Sequence, residues 1–85
     1  MEKYRLRIKR SAAKELEALP SKDRRRIVGR IQDLASDPRP HGCEKLSGED
    51  KYRIRLGDYR VLYAVQDADA TVVVVKIAHR RDAYR

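Results

Sequence analysis

Three arginines lie close together in the stretch KYRIRLGDYR, and the planar arginine fork is well matched to a phosphate group. This stretch reads as two strands joined at Gly57-Asp58, because a Gly-Asp pair between alternating apolar and polar residues is typical of a hairpin turn. Counting outward from the turn places Arg55 directly opposite Arg60, with Arg53 close by on the same face. Like charges opposite each other destabilise a sheet, so we interpret the cluster as a site for an anion.

Side chains that can move protons follow the last apolar stretch of the chain. TVVVVKIAH reads as a strand that ends at His79, and Arg80, Arg81 and Tyr84 come directly after it. If this strand runs beside the hairpin, these residues come next to the arginines. Such a set can cleave RNA by attack of the 2′-hydroxyl on the adjacent phosphate. Arginines would stabilise the charge of the transition state, and a histidine or tyrosine would transfer protons.

Composition and charge predict a basic cytoplasmic protein. The 85-residue chain has a net charge of +8 and a pI of about 10.0, which favours a polyanionic partner. Cys43 is the single cysteine, which excludes an internal disulfide and a cysteine-based zinc site. We expect no metal and no other cofactor, since the two histidines lie far apart and no carboxylates have ligand spacing. No apolar run reaches the roughly 18 residues of a membrane span.

Hydrophobic periodicity predicts the elements that position these residues. Residues 4–9 alternate as a half-buried strand. Two helices follow, the first capped by Ser11 and ended by Pro20, the second capped by Ser21 and ended at residues 37–38. Their short connection predicts an antiparallel helical hairpin. The inward face of the first strand is expected to be Tyr4, Leu6 and Ile8.

The second half of the chain reads as a loop and three strands. Residues 37–50 are rich in proline, glycine and charge and are predicted to form a long loop. The last strand is expected in the centre of the sheet, because its continuous valines suggest burial on both faces. The apolar face of the hairpin is expected to be Tyr52, Ile54, Leu56, Tyr59, Val61 and Tyr63.

These elements predict an α+β fold within a single domain, residues 1–85. A strand and a helical hairpin precede a three-stranded antiparallel meander, giving one mostly antiparallel four-stranded sheet with helices on one face. No element remains to cover the other face. Arg53, Arg55 and Arg60 should be exposed there, with no matching carboxylate in their own strands.

Three motifs together resemble the RelE/ParE superfamily of bacterial type II toxins: KLSG at residues 45–48, YRIRLGDYRVLYAV at 52–65 and IAHRRDAYR at 77–85. The resemblance covers essentially the whole chain and favours the RelE-like branch. It implies a ribosome-dependent mRNA endonuclease that inhibits translation by metal-free 2′-hydroxyl attack. The implied partners are a cognate RelB-like antitoxin, the ribosome and mRNA, with the toxin as a monomer within a toxin–antitoxin hetero-oligomer.

The resemblance also assigns roles to single residues. Tyr84 is the expected base or the group that orients the 2′-hydroxyl, and Arg80 is the expected transition-state clamp or proton donor. The best-known members have lysines where Arg53 and Arg55 stand. Arginine carries protons less readily, so these two are expected to stabilise charge. The predicted catalytic residues are Arg60, Arg80 and Tyr84. The predicted phosphate-binding residues are Lys51, Arg53, Arg55 and Arg81, and His79 is an additional candidate acid or base.

Three other functions remain open at this point. The chain could be a ParE-like poison of DNA gyrase without nuclease activity, although the full set of arginines with a terminal tyrosine favours the nuclease. It could be a non-enzymatic RNA-binding domain. Such domains stack bases on exposed aromatic rings, whereas Tyr52, Tyr59 and Tyr63 count onto the core face. It could also be a degenerate toxin that still binds its antitoxin.

Overall fold

The computed structural model describes residues 3–46 and 50–79, which form two α-helices and one five-stranded sheet. The helices are α1 (Arg10–Glu17) and α2 (Ser21–Asp33). The strands are β1 (Arg5–Ile8), β2 (Glu44–Lys45), β3 (Lys51–Leu56), β4 (Tyr59–Gln66) and β5 (Thr71–His79). The order across the sheet is β1-β5-β4-β3-β2, with β1 parallel to β5 and the other pairs antiparallel. The predicted α+β class is therefore confirmed.

The sheet has one strand more than the four predicted. Glu44 and Lys45 form β2 inside the segment 37–50 that reads as a loop, and they pair with β3. The backbone N–H of Leu46 donates to the carbonyl of Lys51 at 2.8 Å, which extends this pairing by one residue. Two residues are too few to show the alternation of a strand, so β2 depends on the edge that β3 offers.

The hairpin of β3 and β4 has the predicted register. Arg55 pairs with Arg60 and Tyr52 with Tyr63, so the turn consists of the two expected residues. Gly57 has a φ of 58°, a left-handed conformation that glycine adopts without the strain of a Cβ atom. Tyr52 and Tyr63 are buried with their rings stacked, 5.8 Å between centroids.

A bulge in β5 reverses which side of the sheet the odd- and even-numbered side chains face. The register with β4 shifts by one residue between Leu62 and Tyr63, which leaves Val75 of β5 as an extra residue. Without the bulge, Lys76 would point into the core and Ile77 away from it. Instead Lys76 is exposed and Ile77 is buried. As its valines predict, β5 lies inside the sheet, between β1 and β4.

Both helices begin earlier than predicted, α1 by two residues and α2 by one. Lys9 is the N-cap of α1 and Pro20 the N-cap of α2, so Ser11 and Ser21 lie inside the helices rather than capping them. The backbone N–H of Lys9 donates to the carbonyl of Val74 at 3.0 Å. This bond to β5 holds the chain extended up to Lys9, and the helix starts directly after it.

The helices cover one face of the sheet, and no described helix packs on the other. Among the described residues, neither helix is long and apolar enough to cross a membrane. Ile8, predicted on the inward face of β1, is 40% exposed, because it ends this edge strand just before the turn into α1. The buried core consists of Ala12, Leu16, Ile27, Ile31, Leu34, Tyr52, Ile54, Val61, Tyr63, Val65, Val72, Val74 and Ile77.

Candidate functional site

The sheet surface opposite the helices carries three arginines, which we call the arginine face: Arg53 and Arg55 of β3, and Arg60 of β4. Arg55 and Arg60 are cross-strand partners, and Arg53 pairs with Leu62, so the strand alternation brings all three side chains to one side. Arg55 is exposed, while Arg53 and Arg60 are half-buried rather than fully exposed. A cross-strand arginine pair is unfavourable without an anion, as the sequence indicates.

Glu44 contributes a carboxylate to the arginine face, and the sequence did not predict it. The Nε–H and Nη2–H groups of Arg53 donate to Glu44 Oε1 at 3.1 and 2.9 Å. The Nε atom of Arg55 lies 3.6 Å from the same oxygen. The hydrogen bonds from Arg53 are the main reason why the pKa of Glu44 is lowered, and the charges of Arg55 and Arg60 add to this effect. No sequence pattern marks Glu44, because β2 is too short to have one.

Lys51 lies on the same side of the sheet but further along β3. It pairs with Ala64, and it is an even number of residues from Arg53 and Arg55, so its side chain leaves the sheet in the same direction. Four residues of strand separate the backbones of Lys51 and Arg55 by about 13 Å. Lys51 can therefore meet a different part of an extended polyanion from the part that Arg55 meets.

The structure brings the backbone of His79 to the arginine face but directs its ring elsewhere. His79 is the cross-strand partner of Tyr59, and the two rings meet edge to face with centroids 5.1 Å apart. Tyr59 belongs to the helix side of the sheet, where its hydroxyl donates to Asp23 of α2 at 3.0 Å. Burial, and then this bond to Asp23, raise the pKa of Tyr59.

The bulge at Val75 is the physical reason for this direction. Without the extra residue, alternation would have placed His79 on the side of Arg60. Ala78 pairs with Arg60 in its place. The expectation that the imidazole of His79 lies beside the arginines is therefore not met, although the end of β5 is where the sequence predicts it.

The remaining predicted site residues, Arg80, Arg81 and Tyr84, lie outside the described part of the chain. The structure does show the position of His79, the residue that precedes them in the sequence. β5 ends at His79, opposite the first residue of β4 and next to the pair of Arg60 and Ala78. The last described residue of β5 thus lies at the end of the sheet where Arg60 lies.

A second group of contacts around an arginine, the Arg39 cluster, consists of Arg39, Asp67, Tyr52 and Tyr4. The guanidinium of Arg39 donates to both carboxylate oxygens of Asp67, at 3.3 and 2.7 Å, and to the hydroxyl of Tyr52 at 2.8 Å. Tyr4 donates to Asp67 at 2.7 Å. The bonds from Arg39 and then from Tyr4 lower the pKa of Asp67, and the bond to Asp67 is the main cause that raises the pKa of Tyr4.

The chemistry of the arginine face is that of an anion site. Arginine forks bind phosphate oxygens through charge-assisted hydrogen bonds and stay charged at every physiological pH. Among residues 3–46 and 50–79, no group of three His, Cys, Asp or Glu side chains is placed to hold a metal ion. The face can therefore bind a phosphate backbone and stabilise negative charge with the residues described.

Comparison with known proteins gives one consistent family. The ParE toxin family of type II toxin–antitoxin systems matches residues 6–84. Toxin RelG of Mycobacterium tuberculosis is 33% identical over 86 residues, which cover 96% of this chain and 97% of RelG. The archaeal RelE–RelB complex of Pyrococcus horikoshii contains a chain that is 34% identical, with a TM-score of 0.79 and coverage of 91% and 94%. The intact E. coli RelBE toxin–antitoxin complex gives 27% identity, a TM-score of 0.81 and coverage of 89% and 95%.

Proposed function

The chain belongs to the RelE/ParE superfamily of type II toxin–antitoxin toxins, and we propose that it is a RelE-like endonuclease that cuts mRNA on the ribosome. The observation that carries this proposal is the cross-strand pair of Arg55 and Arg60 on a sheet face that no described helix covers. A small domain gains no stability from two arginines placed opposite each other. Their arrangement is useful when a phosphate lies between or above them.

In the proposed reaction, the 2′-hydroxyl oxygen attacks the adjacent phosphorus, and the bond from phosphorus to the 5′-oxygen breaks. The products are a 2′,3′-cyclic phosphate and a 5′-hydroxyl. Tyr84 accepts or orients the proton of the 2′-hydroxyl, and Arg80 stabilises the charge or supplies the proton of the leaving 5′-oxygen. Arg60 stabilises the transition state, where preorganised charge has its largest effect.

Binding and chemistry divide between the two parts of the proposed site. Arg53, Arg55 and Lys51 bind the phosphate backbone along β3, and Arg81 adds a further positive charge after β5. His79 has the weakest support as an acid or base, since its ring contacts Tyr59 on the helix side. We therefore assign the proton transfers to Tyr84 and Arg80, and give His79 a part in packing the end of the sheet.

The proposed partner in the resting cell is a cognate antitoxin of the RelB type. The structural neighbours from P. horikoshii and E. coli are themselves complexes of a RelE toxin with RelB. A net charge of +8 favours an acidic toxin-binding segment that folds as it covers the arginine face. The whole chain would act as one toxin domain in the cytoplasm, where ribosomes and mRNA are found. Co-purification of toxin and antitoxin that weakens with salt is the measurement that checks this.

The second candidate function is that of a ParE-like gyrase poison without nuclease activity. The specific observation in its favour is that the matching family is the ParE toxin family. Such a protein would keep the fold and Arg60 but would not need a complete set of arginines with a terminal tyrosine. The presence of Arg53, Arg55, Arg80 and Tyr84 in this sequence supports the nuclease instead.

One experiment separates the two candidates. The protein is induced alone in cells, and the 5′ ends of mRNA and the integrity of the chromosome are mapped within minutes. Cuts inside translated reading frames are expected for the nuclease, and they should disappear with Arg60→Ala expressed at the same level. Intact mRNA together with broken DNA would refute the nuclease and support the gyrase poison.

A further inference from the structure

Glu44 is an acidic side chain that contacts two arginines of the arginine face, and a single oxygen makes these contacts. Oε1 accepts both bonds from Arg53, at 3.1 and 2.9 Å, and lies 3.6 Å from Nε of Arg55. A phosphate oxygen that binds between these two arginines needs the same donors. The carboxylate therefore occupies a position that is also suited to a phosphate.

The contacts of Glu44 are those of a replaceable ion pair. The side chains of Glu44, Arg53 and Arg55 are 49%, 25% and 61% exposed, so water screens their attraction. Ion pairs of this exposure contribute little to stability and exchange partners readily. A phosphodiester of RNA brings a full charge and several oxygens, so it can compete for the same N–H groups.

The backbone of Glu44 is held in place, so the carboxylate can leave without unfolding anything. β2 pairs with β3 through Glu44 and Arg53 and through Lys45 and Tyr52. On either side, Cys43 N–H donates to the Pro40 carbonyl and Leu46 N–H to the Lys51 carbonyl. Rotation of the Glu44 side chain is enough to open the donors of Arg53 and Arg55.

We propose that Glu44 is a displaceable counter-ion of the arginine face, which takes the place of an RNA phosphate in the free toxin and is expelled when RNA binds. It offsets the repulsion of the arginines in the free protein and, by the same contacts, weakens the binding of RNA. The inference deepens the proposed function and rests on it only in taking RNA as the polyanion.

The test compares Glu44→Gln with a control that changes the net charge equally. Glu17 is an exposed acid at the end of α1, on the helix side of the molecule, so Glu17→Gln adds the same charge away from the arginines. The probe is a short fluorescent RNA with 2′-O-methyl groups, which cannot be cut. Affinity is measured by anisotropy at several salt concentrations, and thermal stability is measured on the same samples.

Glu44→Gln should bind the RNA about three- to tenfold more tightly than the parent at low salt, because a charge a few ångströms from the phosphate is removed. Its melting temperature should fall slightly. For Glu17→Gln, the change in the logarithm of the affinity should be less than half of the change expected for Glu44→Gln. When Arg53→Ala is present, the gain from Glu44→Gln should largely disappear, since the pair that competes with RNA no longer exists.

Equal affinities of Glu44→Gln and Glu17→Gln would overturn the proposal, as would a failure of both the parent and Glu44→Gln to bind the probe. A purely structural role for Glu44 would lower stability and leave affinity unchanged or reduced. The probe is not cleaved and no ribosome is present. A negative result in the mapping of mRNA ends would therefore refute the nuclease without deciding the role of Glu44.

Discussion

The arginine face and the Arg39 cluster use the same side chain for opposite purposes. In the Arg39 cluster, one guanidinium donates to both oxygens of the Asp67 carboxylate and to the hydroxyl of Tyr52. It also lies over the ring of Tyr52, 5.2 Å from the centroid. On the arginine face, by contrast, Arg53 and Arg55 both contact the same carboxylate oxygen of Glu44.

The difference shows how the function of an arginine can be judged from its surroundings. Arg39 has its donors matched by acceptors from two separate segments of chain, Tyr52 of β3 and Asp67 just after β4, and it ties these segments together. Such an arginine contributes to the fold. Arg53 and Arg55 share one carboxylate oxygen of Glu44, and Arg60 lies directly opposite Arg55. A surface of this kind is stabilised when a polyanion supplies the acceptors.

The largest predicted effect tests whether RNA that binds to the arginine face is also cleaved, with Tyr84 in the proton transfer. Tyr84→Phe removes one hydroxyl and keeps the ring. Single-turnover cleavage of ribosome-bound mRNA at saturating protein should drop by about 10²–10⁴, the usual size of an acid–base contribution. Ribosome affinity should stay close to that of the parent, and Arg80→Ala should lose comparable activity through missing charge stabilisation.

His79→Gln is the matched control for that experiment. Because the imidazole contacts Tyr59 rather than the arginines, this variant should cleave nearly as fast as the parent. A large loss in His79→Gln would transfer part of the proton-transfer role to His79. Cleavage by Tyr84→Phe at the parent rate would show that the tyrosine is not catalytic.

The next prediction compares one substitution on the arginine face with one in the Arg39 cluster. Arg60→Ala should lower the single-turnover rate by about 10²–10³ through lost transition-state stabilisation, with little change in the melting temperature. Arg39→Ala should do the reverse. Its folded form should cleave at nearly the parent rate, while the melting temperature falls by about 4–8 °C, the shift that a net loss of about 1 kcal/mol gives in a domain of this size. If both variants lost activity and stability together, the division between the clusters would be wrong.

A smaller effect concerns how binding depends on salt. Affinity for RNA should fall steeply as the salt concentration rises, with a slope set by the number of phosphates that are contacted. Removing Arg55 or Arg60 should flatten the slope by about one unit each, whereas Arg39→Ala should leave it unchanged. Slopes in the Arg55 and Arg60 variants equal to the parent's would show that these side chains do not touch the phosphate backbone.

The smallest predicted effect is the response of the Arg39 cluster to acid. The pKa of Asp67 is lowered in the folded state, chiefly by its bonds from Arg39. Its contribution to stability is therefore complete above the ordinary pKa of an aspartate, near 4, and is lost as the pH falls through the lowered value. The melting temperature should decline over this acidic range, and Asp67→Asn should decline less steeply. If the melting temperatures of the parent and Asp67→Asn declined equally, Asp67 would not contribute to the loss of stability in acid.

Much of the hairpin could be predicted from the sequence, because its register depends on residues that are close together in the chain. Gly57 and the alternation on either side of it determine the register, and the register determines that Arg55 and Arg60 share a face. The central place of β5 is likewise predictable from its valines. The start of α1 was missed by two residues, because Lys9 is held extended by a bond to Val74, a residue far away in the sequence.

The sequence by itself determined the fold class, the faces of the hairpin and the cluster of positive charge, since each follows from a period of two or of 3.6 along the chain. Only the tertiary structure decided the bulge at Val75, which turns His79 away from the arginines, and the strand β2, which brings Glu44 to them. Both depend on which strand lies alongside. A bulge forms where pairing with β4 must bury Ile77 and expose Lys76, and a two-residue strand forms only where β3 offers a free edge.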